Sequence, residues 1–495
     1  MNAEPVRSRR LSPIDAAFLY LERREIPLAI AGVFIFDAPV KFEDFVANID
    51  SKLHLIPRYR QVAVPPPFNL GYPTWEDYPR FDILHHIHRQ HLPSPGGEAE
   101  LEALAGRLFS QVMDRHKPLW EVHIVDGLSD GRGALIARVH HALADGIAGA
   151  ALLKLMFDST PEGSRPQPKP AVHHPPAAPA EHSVVEALAS AIHNSLKNMI
   201  AAEAALLDLG QALLTEPMQT GLQGLLKLFP EWAKPVERLP FNRPCSGARK
   251  FCWAEIDFAD VKAIRERFGG TVNEVVLTVV TQAVARYAKF HGQSVQDRFV
   301  RIICPVSVRE EGQQDSLGNQ ITFLPVVLPM DMDDPAELLP AITTRMQIMK
   351  SVRAAELVAV AAAWIGAMPP PLQALFWEGV PLIPLPLPLF NLICTNIPGS
   401  PTPLYALGRR MIASYPQVPT GYELGIGVAV QSYDGKMFFG LTADAEAAAD
   451  VTRFRDYLRK SFADLRRAAG IRKPPRKRPK PPAGRLSPTL AASAD

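Results

Sequence analysis

The sequence predicts an α/β protein built as two similar lobes, and three observations carry that prediction. The chain has 495 residues, too many for one hydrophobic core and suited to two domains of roughly 200 residues each. Strand-like and helix-like patterns alternate in both halves. Between the halves, from Pro161 to Pro179, the chain is dominated by Pro, Ala, His and Ser, a composition that packs no core and marks a linker.

The elements follow in order. Ala29 to Phe36 is an apolar, β-branched run that predicts a buried strand, and Leu101 to Met113 has helical spacing. Glu121 to Val125 and Ala134 to His140 are strands joined across Asp126 to Gly133, whose Gly and Asp content favours a hairpin. Gly146 to Phe157 reads as a helix on that sheet, and Ser183 to Leu214 as a long amphipathic helix between the lobes. In the second half, Val261 to Arg267 and Val275 to Tyr287 are helical, whereas Val300 to Val306 and Phe323 to Leu328 are strands. Leu424 to Val430 and Met437 to Thr442 form a strand pair across Asp434-Gly435. The boundaries are 1–160 for the first lobe, 161–245 for linker and bridging helices, 246–470 for the second lobe and 471–495 for a basic tail.

Charge narrows the function. From Arg472 onward there are seven basic residues and one acid, so that segment carries +6 of the net +2 and the remaining body is mildly acidic. Such a body does not suit a nucleic-acid surface, whereas the tail suits solvent or an anionic lipid. Cys245, Cys252, Cys304 and Cys394 lack metal-like spacing and read as reduced thiols of a cytoplasmic protein. No apolar stretch follows the basic N-terminus, so the chain does not read as secreted. Leu357 to Trp377 holds no charge, but Pro369, Pro370 and Pro371 interrupt it, and Pro381, Pro384, Pro386 and Pro388 forbid a helix beyond. That segment predicts an apolar wall rather than a transmembrane span.

The chemistry centres on His140-His141-Ala142-Leu143-Ala144-Asp145-Gly146, where a buried strand runs into a turn. Its four fixed positions would arise by chance on the order of once per thousand chains of this length. His85-His86 and His173-His174 show that a bare histidine pair comes without Asp-Gly. Strand alternation sends His140 and His141 to opposite sides, and His141, nearer the loop, is the better general base. Asp145 either partners the histidine or clamps the loop to an arginine, of which Arg309 is one, and Gly146 supplies the turn's backbone freedom. A His-x-x-x-x-Asp reading would instead make His140 the base. No Gly-x-Ser-x-Gly, Gly-x-x-x-x-Gly-Lys or His-Glu-x-x-His occurs. His85, His86, His88 and His91 are split across strand faces, so no metal site is expected.

These residues and their companions resemble the bacterial wax ester synthase/diacylglycerol acyltransferase family, within the CoA-dependent acyltransferases that include chloramphenicol acetyltransferase and condensation domains. The resemblance runs from Leu11-Ser12-Pro13-Ile14-Asp15 to about Asp450. It includes Pro118-Leu119-Trp120, the dihistidine motif, Pro305-Val306-Ser307-Val308-Arg309, Leu317-Gly318-Asn319, Thr395-Asn396-Ile397-Pro398-Gly399 and Ser432-Tyr433-Asp434-Gly435. It implies two chloramphenicol acetyltransferase-like lobes of mixed sheets flanked by helices, with an active-site tunnel at their interface. It further implies that His141 deprotonates a hydroxyl of diacylglycerol or a fatty alcohol, which attacks a long-chain acyl-CoA without a resident cofactor. Asp145 then has a structural role, and Pro118, Leu119, Trp120, Asn273 and Arg309 are expected near the substrates. Lipid substrates imply peripheral contact with a membrane or lipid droplet. One departure stands out: the family's Asn-Asp pair is Asn273-Glu274 in this chain. The alternatives are a non-catalytic lipid-binding homologue and a specialised enzyme acylating a polyketide-type alcohol.

Overall fold

A computed structural model of the chain describes residues 10–143, 156–163, 215–307, 321–382 and 388–471, with scattered positions between 153 and 211. The first lobe contains α1 (Pro13–Leu21), β1 (Ala29–Phe36), α2 (Phe42–Lys52), β2 (Gln61–Val64), β3 (Thr74–Asp77), β4 (Ile87–His91), α3 (Glu98–Phe109), β5 (Trp120–Asp126) and β6 (Gly133–His140). The second begins with α4 (Glu216–Ala233), β7 (Arg249–Asp257), α5 (Phe258–Phe268), α6 (Val272–Phe290), β8 (Phe299–Ser307) and β9 (Ile321–Pro329). It continues with α7 (Pro335–Ser351), α8 (Ala354–Ala367), α9 (Pro370–Gly379), β10 (Leu392–Ile397), β11 (Tyr405–Ala406), β12 (Arg409–Gln417), β13 (Ile426–Tyr433), β14 (Lys436–Asp444) and α10 (Val451–Ala468).

Two six-stranded mixed sheets organise the molecule, in the orders β11-β12-β1-β6-β5-β4 and β7-β14-β13-β10-β8-β9. In the first, β4 runs parallel to β5 and the remaining pairs are antiparallel. In the second, β10 lies parallel to both β13 and β8. Each lobe has its own core, one around Phe36, Phe45, Ile49 and Trp120, the other around Val280, Ile302, Phe439 and Phe454. Helix α6 is apolar nearly all round, with Val275 to Ala285 buried throughout, which makes it an interior helix of the second lobe.

The strands predicted in each half are present, with ends shifted by a few residues. The partition at residue 246 is corrected by topology: β11 and β12 belong to the later segment by sequence but to the first sheet by pairing. Residues Ala31 to Phe36 of β1 align antiparallel with Gln417 to Met411 of β12. The physical reason is the open edge of β1, whose free N–H and C=O groups β12 satisfies. Where β12 passes β14 the approach is close, since a Cβ on Gly440 would stand 1.7 Å from the Pro416 carbonyl oxygen. Helix α3 also ends at Phe109 rather than Met113, and Ser110 Oγ turns back onto the Gly106 carbonyl.

The apolar segment forms α8 and α9, bent by 117° at the proline break, and no single helix among the described residues is long and apolar enough to cross a membrane. Gln373 Nε2 pins this elbow by donating to the carbonyls of Gly366 and Met368. Of the predicted Gly146–Phe157 helix, the Pro161–Pro179 linker, the Ser183–Leu214 helix and the basic tail, all or most residues lie outside those described; the described positions from 193 to 211 are helical.

Candidate active site

Strand β6 is buried along its whole length and delivers His140 at its last position. The His140 amide donates to the Leu119 carbonyl at 3.0 Å, and the chain then leaves the sheet in a tight turn closed by Leu143 N–H on the His140 carbonyl. His140 is fully buried. Its Nδ1 accepts the Ala142 amide at 3.0 Å, which assigns the ring proton to Nε2. That Nε2 faces Glu22 Oε2 at 3.3 Å.

His141 lies just past the end of the strand, in the turn, and is only partly exposed. Its amide donates to the Leu28 carbonyl at 2.9 Å. Its ring stacks on Phe18 of α1, with centroids 3.8 Å apart and planes within 16°. Burial pushes the imidazole pKa down to about 4, with the neighbouring His140 adding to the effect, so it is neutral at neutral pH.

Glu22 is the residue that motif reading missed. It caps the C-terminus of α1, a helix begun by Ser12, whose Oγ accepts the Asp15 amide, and by Pro13 at its first turn. Its side chain is fully enclosed. Oε1 accepts the Leu28 amide at 3.0 Å, and Arg115 reaches Oε2 and the Glu22 carbonyl, both at 3.3 Å. Burial alone would raise the carboxyl pKa, but His140, the Leu28 amide and Arg115 together hold it below the ordinary value. An acid at the negative end of a helix is locally unfavourable, and that mismatch is the sequence signal that could have found it.

The other expected site residues separate. Asp145, Gly146, Arg309 and Leu317-Gly318-Asn319 lie outside the described residues. Pro118, Leu119 and Trp120 are interior. Trp120 is fully buried, donates from Nε1 to the Tyr59 carbonyl at 2.8 Å and stacks on His86, while the Leu119 carbonyl holds the His140 amide. Their role is to fix the strand that presents the histidines. Asn273 sits half-buried in the first turn of α6 and makes no side-chain hydrogen bond among the described residues. Glu274 closes that helix start: Oε2 accepts the Thr271 amide at 2.7 Å and the Thr343 hydroxyl at 3.3 Å, with Lys350 Nζ 3.6 Å from Oε1. The longer acid therefore serves as a cap, and its departure from the family pattern is accommodated.

The histidine-rich run disperses. His86 faces the Trp120 carbonyl, His88 stacks on His123, and His91 pairs with Asp126. Among the described residues no group of three or more His, Cys, Asp or Glu could hold a metal. Two segments that carried the resemblance meet in the second lobe, where Gly399 N–H donates to Ser432 Oγ at 3.3 Å.

A buried arginine of the second lobe, held by an ion pair within its own sheet, reaches across to the first lobe near the site. Arg249 on β7 donates to Asp444 Oδ2 at 2.6 Å, and its other terminal nitrogen reaches the carbonyls of Glu25 and Thr420, both at 2.8 Å. Glu25 belongs to the loop between Glu22 and Leu28, so the loop bracing both histidines is anchored on the second lobe.

Comparison with known proteins agrees with this arrangement. Residues 11–276 match the wax ester synthase/diacylglycerol acyltransferase catalytic domain, and residues 317–466 match the WS/DGAT C-terminal domain. A probable diacylglycerol O-acyltransferase of Mycobacterium tuberculosis is 28% identical over 478 residues, covering 94% of this chain and 98% of that protein. A second from the same organism is 29% identical over 481 residues, covering 93% and 99%. The wax ester synthase/diacylglycerol acyltransferase structure from Marinobacter aquaeolei shares the fold at a TM-score of 0.63 and 23% identity, over 93% of this chain and 100% of that one. The first condensation domain of the calcium-dependent antibiotic synthetase shares it at a TM-score of 0.59 and 11% identity, over 94% and 97%. With a catalytic-domain match across more than half of its length, the chain belongs to the wax ester synthase/diacylglycerol acyltransferase family and is an acyl-CoA-dependent O-acyltransferase.

Proposed function

We propose that His141 is the general base for transfer of a long-chain acyl group from acyl-CoA to the hydroxyl of diacylglycerol or a fatty alcohol. The observation that carries this is the division of labour in the pair. His140 is sealed in the interior with Nδ1 engaged and Nε2 against Glu22, whereas His141 lies in the turn, partly exposed and with a neutral ring. Its Nδ1 is enclosed beside its own backbone carbonyl, which leaves Nε2 to take a proton. The hydroxyl oxygen forms the new bond to the thioester carbonyl carbon as its proton passes to His141. Collapse of the adduct breaks the carbon–sulfur bond, the proton leaves with CoA thiol, and an ester remains. Acyl-CoA and alcohol balance the reaction without a resident cofactor.

The test is CoA release from palmitoyl-CoA with diacylglycerol, hexadecanol and a polyketide-type alcohol as acceptors. His141→Ala is expected to lower the rate about 10²–10⁴-fold. Activity retained in His141→Ala and lost in His140→Ala would overturn the assignment.

We further propose that the protein makes contact with a lipid surface. Support comes from α8 and α9, where Leu372 and Leu375 are each more than half exposed on a segment without charge from Leu357 to Trp377, and from the chain after them, where Leu382 and Leu389 are more than half exposed too. Leu372→Glu with Leu375→Glu is expected to reduce flotation with phosphatidylcholine/phosphatidylglycerol vesicles. Unchanged flotation would remove these helices as the contact.

A further inference from the structure

Phe18 and Glu22 stand one turn apart on α1, so a single helix face meets two consecutive residues of the motif. Alternation ordinarily prevents that, because neighbours in a strand point to opposite sides. The tight turn after His140 removes the obstacle, and Phe18 covers the His141 ring while Glu22 meets His140.

Glu22 is also the starting point of a chain of hydrogen bonds that leads back to it through the close approach of His140 Nε2. Oε1 takes the Leu28 amide at 3.0 Å, and the Leu28 carbonyl takes the His141 amide at 2.9 Å. The next amide, Ala142, donates to His140 Nδ1 at 3.0 Å, and His140 Nε2 returns to Glu22 Oε2 at 3.3 Å. Both histidines are therefore fixed by one carboxylate, His140 through its ring and His141 through its backbone. Arg115 braces the same carboxylate from the outer side.

We infer that Glu22 and Phe18 are positioning residues for acyl transfer: Glu22 fixes the His140 tautomer and the turn carrying His141, and Phe18 fixes the plane of the His141 ring. The inference rests on His141 being the base. Neither residue is assigned a contact with substrate. Glu22 keeps the proton on His140 Nε2, because a proton on Nδ1 would confront the Ala142 amide. The stacked phenyl ring closes one face of the His141 imidazole and so restricts its rotation. A displacement of the base by an ångström costs roughly 10²-fold in rate.

Glu22→Gln is the decisive variant. If its amide oxygen stays on the Leu28 N–H, its NH₂ group faces His140 Nε2 and drives that ring to the other tautomer. The expected results are a fall in kcat of roughly 10–100-fold with KM for palmitoyl-CoA within about twofold. Histidine-selective ¹⁵N spectra are expected to show His140 shifting from the Nε2–H to the Nδ1–H form. Glu22→Asp, which keeps the charge, is expected to recover part of kcat and the native tautomer. Phe18→Leu is expected to lower kcat without moving the tautomer signal, and it carries the rate test if Glu22→Gln does not fold.

Wild-type kcat in folded Glu22→Gln and Phe18→Leu, alongside an inactive His141→Ala, would overturn the positioning role and leave the base intact. An active His141→Ala would overturn the base instead, and the positioning role for acyl transfer with it. The His140 spectrum still decides separately whether Glu22 sets the tautomer.

Discussion

Asp444→Asn offers the sharpest test of how the lobes are joined. The carboxylate is completely buried. Oδ2 accepts Arg249 at 2.6 Å, Ser246 N–H at 2.8 Å and Gly247 N–H at 3.1 Å, while Oδ1 accepts the amides of Glu446 and Ala447, both at 3.1 Å. Asparagine has the same shape but only one acceptor oxygen. Whichever way it turns, its NH₂ group confronts at least two N–H donors, and the Arg249 charge loses its counter-ion inside the protein. Removing one member of a buried pair costs about 3–5 kcal/mol, and each orphaned buried donor about 1–3 kcal/mol, although the two overlap. A loss of at least about 3 kcal/mol lowers the melting temperature of a cooperative unit as long as this chain by about 3 °C. Thermal denaturation followed by circular dichroism measures it. Arg249→Met combined with Asp444→Leu is expected to be less damaging than Asp444→Asn alone, since it leaves no charge behind. A shift under about 2 °C in Asp444→Asn, or full additivity in the double variant, would refute the reasoning.

Acid should destabilise the fold through its neutral histidines. His141 and His86 are both pushed down to about 4, chiefly by burial, while the unfolded chain titrates near 6.5. Between those values the unfolded state binds more protons, so stability is complete above pH 6.5 and falls as pH drops towards 4, by up to about 3 kcal/mol for each ring. Urea denaturation from pH 7.5 to 4.5 measures this, and an unchanged slope in His86→Gln would count against that residue's share. Trp120→Phe should lose about 1–3 kcal/mol by orphaning the Tyr59 carbonyl, while kcat/KM stays near wild type. A specific loss of acyl-CoA binding at intact stability would return Trp120 to the substrate site.

Local pattern made the site's strand legible and left its partners obscure. The β5–β6 and β13–β14 pairs could be read because each is closed by a short turn, the latter at Asp434-Gly435, where both residues take positive φ. The preference for His141 over His140 was read from strand periodicity, which is local, whereas the turn after His140 brings both rings to one end of α1. Strand β12 was invisible for the opposite reason. Its partner β1 lies nearly 400 residues earlier, and Pro416 within Met411–Gln417 argues against a strand when read alone. Glu22 pairs with a histidine far along the chain, and nothing in its immediate sequence marks that partner. Pro118-Leu119-Trp120 was legible as a motif but not as an interior one, because burial is a tertiary property. The resemblance named the segment; only packing showed what it holds.

The late arrival of β12 gives the fold a constraint in time. At ribosomal speeds of about 5–20 residues per second, β1 waits roughly 20–80 seconds for the strand that covers its edge. During that interval the nascent first lobe presents an apolar strand with one edge unpaired, the kind of edge that templates aggregation. The two lobes are therefore one folding unit, and a fragment ending before Arg409 should be insoluble even though it carries the whole dihistidine motif.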